Sequence, residues 1–285
     1  MDFLSIFNER DFFVKKITLL LAGLVTTTLL LSCGKQSSSG SSSDGSSGSG
    51  ASSSLIVSTL TDEFSSSTTL SDWTERATLE SQASDGSSSI TGGQMVLTAN
   101  ALKGWYLTER SLGLVKSFST SSYPNFVFEI QVHNYQTGTS TAPVTDYRGG
   151  GIIWFPDTSD MSYWLYIAIA RVGSGASNQV FEYKATHNNV GSPSTTGGQS
   201  VNEGRLRICV VGNDAYAYGQ ALGDSSWTLL GDALTIDTDN FTVGTTSAVG
   251  VATSSWGSSG VITDTKADYA RFYQISSVSQ CTSSF

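Results

Sequence analysis

Residues 149–171 read GGGIIWFPDTSDMSYWLYIAIAR, and this stretch decides the class of fold. Gly151 to Phe155 is a short apolar run, which Pro156 ends because proline has no N–H to give to a strand ladder. Asp157 to Ser162 is turn chemistry. Tyr163 to Ala170 then alternates: Leu165, Ile167 and Ile169 point to one side, Trp164, Tyr166, Ala168 and Ala170 to the other. The first set is aliphatic and suits the core of a sandwich. The second sets two large rings beside two alanines, which suits a shallower, partly open face. The expectation is a central antiparallel pair whose aromatic side, or its rim, is where a ligand would bind.

Working outward, the same period of two recurs. In Asn125 to His133, Phe126, Phe128, Ile130 and Val132 share one face, and Val127, Glu129, Gln131 and His133 share the other. In Gly204 to Val211, Leu206, Ile208 and Val210 alternate with Arg205, Arg207 and Cys209, and Gly212-Asn213-Asp214 is a hairpin turn into Ala215 to Gly219. One face buried and one face wet is the mark of an antiparallel sheet. Further strands are expected in Ile90 to Ala99, Gly104 to Leu107, Leu112 to Phe118, Gln179 to Ala185, Trp227 to Leu230, Ala248 to Thr253 and Tyr269 to Ser276. His187 to Asn202 is polar and Gly-rich and reads as a long loop. With 29 Gly, 4 Pro and 11% aromatics, and no long amphipathic helical pattern after residue 35, the chain reads as all-β. Residues 55–279 read as one sandwich domain and 280–285 as a tail.

The net charge is -9. Asp2, Glu9 and Asp11 balance Arg10, Lys15 and Lys16, so the surplus of acid lies after residue 32. An acidic domain has no electrostatic reason to bind nucleic acid or anionic lipid headgroups. Lys15-Lys16 precedes an apolar run, Ile17 to Leu31, too short for a membrane span of ~20 residues. It ends Leu30-Leu31-Ser32-Cys33, the layout of a secretory signal peptide. The ending resembles the lipobox of bacterial lipoproteins, which implies that residues 1–32 are removed and Cys33 is lipidated. The other reading is an ordinary signal peptide or an uncleaved anchor. Residues 33–54 read as a flexible tether: Ser37 to Ser54, SSSGSSSDGSSGSGASSS, cannot bury a core and spans roughly 20–25 Å end to end. Lipidation implies the cell envelope, with the outer membrane favoured.

Four segments in order carry a wider resemblance: Asp62-Glu63-Phe64 ahead of Leu70 and Trp73, GGGIIWF with YWLYIAIAR, RLRICVVGNDAYAYGQALGDSSWTLLG, and AVGVATSSW with ADYARFYQIS. Together the chain resembles the concanavalin A-like jelly roll, in its laminin-G-like and β-xylosidase C-terminal forms. That resemblance implies a two-sheet antiparallel sandwich. The family holds lectins, carbohydrate-binding modules, glycosidases and adhesive domains, so fold does not settle function. Many members hold a structural calcium where first and last strands meet. The matching positions here are Asp62, Glu63 and Asp268, which otherwise cap strands or face water.

Glucanases of this fold carry Glu-x-Asp-x-x-Glu on one strand. That motif is absent, and Glu129 and Glu182 stand on separate strands. His133 and His187 are the only histidines, and no nucleophile elbow accompanies them. Non-catalytic binding of a carbohydrate or glycoconjugate is therefore the leading reading. The alternative is a structural or adhesive protein that meets an envelope or host protein. Trp164 or Tyr166 is expected as the stacking platform, with Glu129, Gln131, His133, Arg205 and Arg207 placed by strand order on the same sheet face. The other reading has both rings packed under a loop. Trp73, Trp105 and Trp227 are assigned to the core. Cys209 and Cys281 remain after lipidation of Cys33. In an exported protein they form a disulfide, or else leave one thiol buried and one free.

Overall fold

The computed structural model describes residues 54–99, 103–105, 109–144, 147–172, 179–187, 190–196, 201–235, 242–256 and 262–285. Cys33, residues 1–32 and the tether up to residue 53 lie outside the described residues. The strands are β1 (Leu55–Ile56), β2 (Thr74–Glu75), β3 (Gly86–Thr91), β4 (Gln94–Ala99), β5 (Gly113–Ser119), β6 (Phe126–Gln136), β7 (Arg148–Phe155) and β8 (Trp164–Arg171). They continue as β9 (Val180–His187), β10 (Val190–Thr196), β11 (Glu203–Val211), β12 (Asp214–Ala221), β13 (Thr228–Leu229), β14 (Leu234–Thr235), β15 (Thr246–Ser255) and β16 (Thr263–Gln274). One four-residue α-helix, α1 (Arg76–Leu79), joins them.

The strands form two sheets. The nine-stranded sheet runs β13-β12-β11-β6-β16-β4-β3, with β1 added on β16 and β14 on β12; the seven-stranded sheet runs β10-β9-β8-β7-β15-β5-β2. Neighbouring strands are antiparallel throughout. The chain crosses between the sheets repeatedly: β5, β7 to β10 and β15 lie in the second sheet, and the strands between them in the first. This is a jelly-roll sandwich.

The core lies between the sheets because alternation turns one apolar row of each strand inward. Phe126, Phe128, Ile130 and Val132 of β6 and Leu206, Ile208 and Val210 of β11 meet Ile152 and Trp154 of β7 and Leu165, Ile167 and Ile169 of β8. Each such side chain contributes roughly 1.5–3 kcal/mol on burial. A one-residue slip in β6 would send the whole row to the outside, so its register is held firmly. Gly151 is required where the sheets approach: a Cβ there would lie 2.6 Å from Leu206 Cδ1 and 2.7 Å from the Ala168 Cα.

Two expectations are corrected. The polar stretch after His187 is not all loop, because β10 pairs with β9 across it. β10 is the outermost strand of its sheet, the position that tolerates Pro193. The last strand begins at Thr263 rather than Tyr269. A register shift between Ala267 and Tyr269 inserts Asp268 as an extra residue and breaks the period of two, so alternation shows only the part after it.

Candidate functional site

Trp164 and Tyr166 are each 0% exposed. Trp105, from the segment between β4 and β5, lies over them. Its ring is stacked on Tyr166 at 5.9 Å and meets Trp164 edge-on at 5.7 Å, and its Nε1 donates to the Thr253 carbonyl at 2.9 Å. Phe155 and Met161 complete this second apolar layer, on the outer side of the seven-stranded sheet. The alternation of β8 is as read, but the expected stacking platform is covered. A further correction concerns its polar company. β8 belongs to the seven-stranded sheet, whereas β6 and β11 belong to the nine-stranded one. Glu129, Gln131, His133, Arg205 and Arg207 therefore share a face with one another, on the other side of the sandwich from Trp164 and Tyr166.

That face is built by register. Across β12, β11, β6 and β16, Tyr218, Arg207, Glu129 and Arg271 form one row, and Gln220, Arg205, Gln131 and Tyr269 form the next. The Glu129 carboxylate is buried and fully engaged. Arg207 Nε and Nη2 both approach its Oε2 at 2.5 Å, and Tyr269 OH donates to its Oε1 at 2.5 Å. Burial, and then the adjacent Glu129, push the Tyr269 phenol pKa far upward. Burial lowers the Arg207 pKa from its ordinary value, against the pull of Glu129.

Arg207 Nη1 also donates to the carbonyls of Cys281 at 2.9 Å and Ser283 at 2.8 Å. The Cys209–Cys281 disulfide, with Cα atoms 5.6 Å apart, fastens the same tail to β11. Phe285 then stacks on Tyr273 at 4.1 Å. The tail thus becomes a wall. Trp227, expected in the core, forms another: it is half-buried on this outer face, with the Arg207 guanidinium 4.0 Å and that of Arg205 5.5 Å from its ring. Between the walls is a polar cavity of about 330 Å³, lined among others by Arg205, Arg207, Gln220, Trp227, Arg271 and Phe285. Gln220, Arg271 and Phe285 were not among the residues singled out from the sequence, and Trp227 was read as core rather than as part of a site. Alternation marks Gln220 as outward on its strand, but nothing local pairs it with Arg205.

Gln131 and His133 face a different partner. Asp268, thrust out by the bulge, accepts from Gln131 Nε2 at 2.7 Å and Gln94 Nε2 at 2.6 Å, and its Oδ2 lies 2.8 Å from His133 Nε2. His133 Nδ1 lies 3.1 Å from Glu203 Oε1, an ion-pair distance without hydrogen-bond alignment. The hydrogen bond to Asp268 is the largest influence on His133 and raises its pKa against burial. Burial pushes the Asp268 pKa up, but hydrogen bonds from His133 and Gln94 outweigh it and hold the carboxyl below its ordinary value.

The three acids expected to hold calcium are not brought together. Asp62 accepts from Phe64 N–H at 2.8 Å and Trp73 Nε1 at 2.9 Å, Glu63 forms a two-pronged pair with Arg271 at 2.7 and 2.8 Å, and Asp268 serves β6 and β4. Among the described residues no three His, Cys, Asp or Glu side chains converge as a metal set.

Among solved structures, the chain is similar to a GH43 protein from Bacillus licheniformis, with TM-score 0.56 and 14% identity over 76% of this chain and 39% of that one. The shared fold is the two-sheet antiparallel jelly-roll sandwich. A xylan beta-1,4-xylosidase from Bacillus halodurans matches with TM-score 0.55 and 15% identity over 75% of this chain and 38% of that one. A functionally unknown protein from Saccharomyces cerevisiae matches with TM-score 0.50 and 16% identity over 71% of this chain and 96% of that one. The chain thus spans less than half the length of the two bacillary proteins. At such identities the likeness concerns the fold alone. No family model and no curated protein matches the sequence.

Proposed function

We propose that this chain is an exported envelope protein, lipid-anchored through Cys33, whose sandwich binds carbohydrate without cleaving it. The binding place is the cavity on the outer face of the nine-stranded sheet. One observation carries the reading: a walled cavity with aromatic rings at its edge holds two polar groups that the protein itself leaves unspent. Arg205 has no hydrogen-bond partner among the described residues, only the Trp227 ring. Gln220 Oε1 is buried without a partner. Sugars stack their C–H faces on rings and pair hydroxyls with such groups. Binding is preferred to hydrolysis because cleavage needs two available carboxylates. In this cavity Glu129 is occupied by Arg207 and Tyr269, and the remaining carboxylate, Asp224, stands exposed at the rim.

The test is a glycan array probed with the full chain and with Arg205→Gln. Saccharide signals lost in the variant support the reading, and an array blank for the parent defeats it. A second reading has its own observation. Tyr147 and Trp256, at one end of the seven-stranded sheet, are 38% and 37% exposed and meet edge-on at 4.9 Å. Tyr147 holds a left-handed backbone, φ 57°. An exposed aromatic pair held in that way suits a protein partner, and then Trp256→Ala, not Arg205→Gln, abolishes binding of that partner in a pull-down from the envelope fraction.

A further inference from the structure

We infer that the saccharide taken by this cavity carries a negative charge, a carboxylate or a sulfate ester, and that Arg205 is the residue that reads it. The inference deepens the carbohydrate reading above and rests on it. Three guanidinium groups line the cavity. Arg271 is committed to both oxygens of Glu63, and Arg207 to Glu129 and two tail carbonyls. Arg205 differs. Its neighbours across β12 and β6 are Gln220 and Gln131, neither of them acidic. Gln131 gives its amide to Asp268. Asp224, on the rim, forms no ion pair with Arg205 among the described residues. An unneutralised guanidinium inside a cavity of a chain with net charge -9 is a charge awaiting its partner. Its planar fork matches a carboxylate or sulfate with two parallel hydrogen bonds, a match no neutral hydroxyl makes.

The second observation separates an acidic sugar from a bare anion. Gln220 is 3% exposed. Its Nε2 donates to the Asp224 carbonyl at 2.8 Å, which leaves Oε1, on a residue that lines the cavity, as a buried acceptor without a donor. A buried acceptor left unmade is costly, and a ligand hydroxyl would satisfy it. A sulfate ion has nothing to donate there. A ligand must therefore bring an acceptor anion for Arg205, a hydroxyl for Gln220 and an apolar face for the Trp227 and Phe285 rings. An acidic sugar has all three. At about 330 Å³ the cavity is at the small end of ligand pockets, which suits a short saccharide unit.

The experiment measures binding of the full chain by calorimetry to three probes: an oligogalacturonate, which carries carboxylates only, a carrageenan oligosaccharide, which carries sulfate esters only, and a neutral xylo-oligosaccharide, with sodium sulfate as the sugar-free control. The expected result is at least tenfold tighter binding of one charged oligosaccharide than of the neutral one, weakening with added salt. Arg205→Gln should erase that preference and Arg205→Lys should keep part of it. Gln220→Met should weaken the acidic oligosaccharide but not sodium sulfate. Unchanged melting of each variant excludes a folding effect, and a variant that melts early is replaced by the salt series on the parent. Which charged oligosaccharide binds distinguishes carboxylate from sulfate. If neutral and charged oligosaccharides bind alike, the inference falls and the carbohydrate reading stands. If no oligosaccharide binds, both fall. If sodium sulfate binds as tightly as the oligosaccharides, the cavity is an anion site and the sugar is not what it reads.

Discussion

Trp164 has no exposed surface, and Trp105, Phe155 and Met161 share its cluster. Trp164→Ala should therefore destabilise the domain by roughly 3–5 kcal/mol, the cost of deleting a large buried ring. Urea unfolding checks this, and a loss under about 1 kcal/mol would mean the ring is not packed as described. His133 and Asp268 titrate in opposite senses. The His133 pKa is raised, so its contribution is complete below the unfolded value of ~6.5 and is lost as pH rises through the folded value. The Asp268 pKa is lowered, so its contribution is present above ~3.9 and is lost as pH falls through the folded value. The pair is thus most stabilising in the acidic window between them. His133→Gln should remove the decline in stability above pH ~6.5, as read from unfolding at a series of pH values.

At the scale of elements, the C-terminal tail is held to β11 by one covalent bond and two hydrogen bonds from Arg207. The disulfide spans 72 residues of sequence, so removing it as the Cys209→Ser, Cys281→Ser double variant should cost roughly 2–4 kcal/mol. The same change should loosen the wall formed by Phe285. Ligand binding should therefore suffer under conditions where the variant is still folded, which calorimetry beside a thermal melt will show. A second element-scale prediction concerns β7. Gly150 lies where a Cβ would collide with the Thr265 side chain of β16 and the Ala252 carbonyl of β15. Gly150→Val should prevent close approach of the sheets and abolish cooperative unfolding, whereas Gly138→Val, on an open turn with nothing near, costs only the strain of its φ of 75°.

For the whole molecule, the described domain offers no helix long and apolar enough to cross a membrane. Under the proposal that Cys33 carries the lipid anchor, Cys33→Ser should move the protein from the membrane to the soluble fraction on fractionation. An unchanged membrane pool defeats that proposal. The cavity lies on one sheet's outer face and the Tyr147–Trp256 pair at one end of the other sheet, so variants at the two places should act independently on ligand and partner binding.

The period of two in β6, β8 and β11 was legible because a half-buried antiparallel strand imposes it whatever its neighbours are. Alternation assigned Leu165, Ile167 and Ile169 to the core and Arg205 and Arg207 to the outside, and the two turns Pro156 and Gly212 bounded their strands. What alternation cannot carry is what covers a face or which sheet a strand joins. Trp164 and Tyr166 read as half-open because the ring that hides them, Trp105, comes from a segment far away in sequence with no local signal of its destination. Arg205 and Gln220 become neighbours only through the β11–β12 register, and the sheet assignment that parted them from Trp164 is set by crossovers between the sheets. The bulge at Asp268 likewise erased the pattern that would have revealed the first half of β16. Local physics thus determined the strands and their inner faces. Long-range packing alone decided which polar residues the outer faces gathered into a site, because that depends on pairings between residues with no relation along the chain.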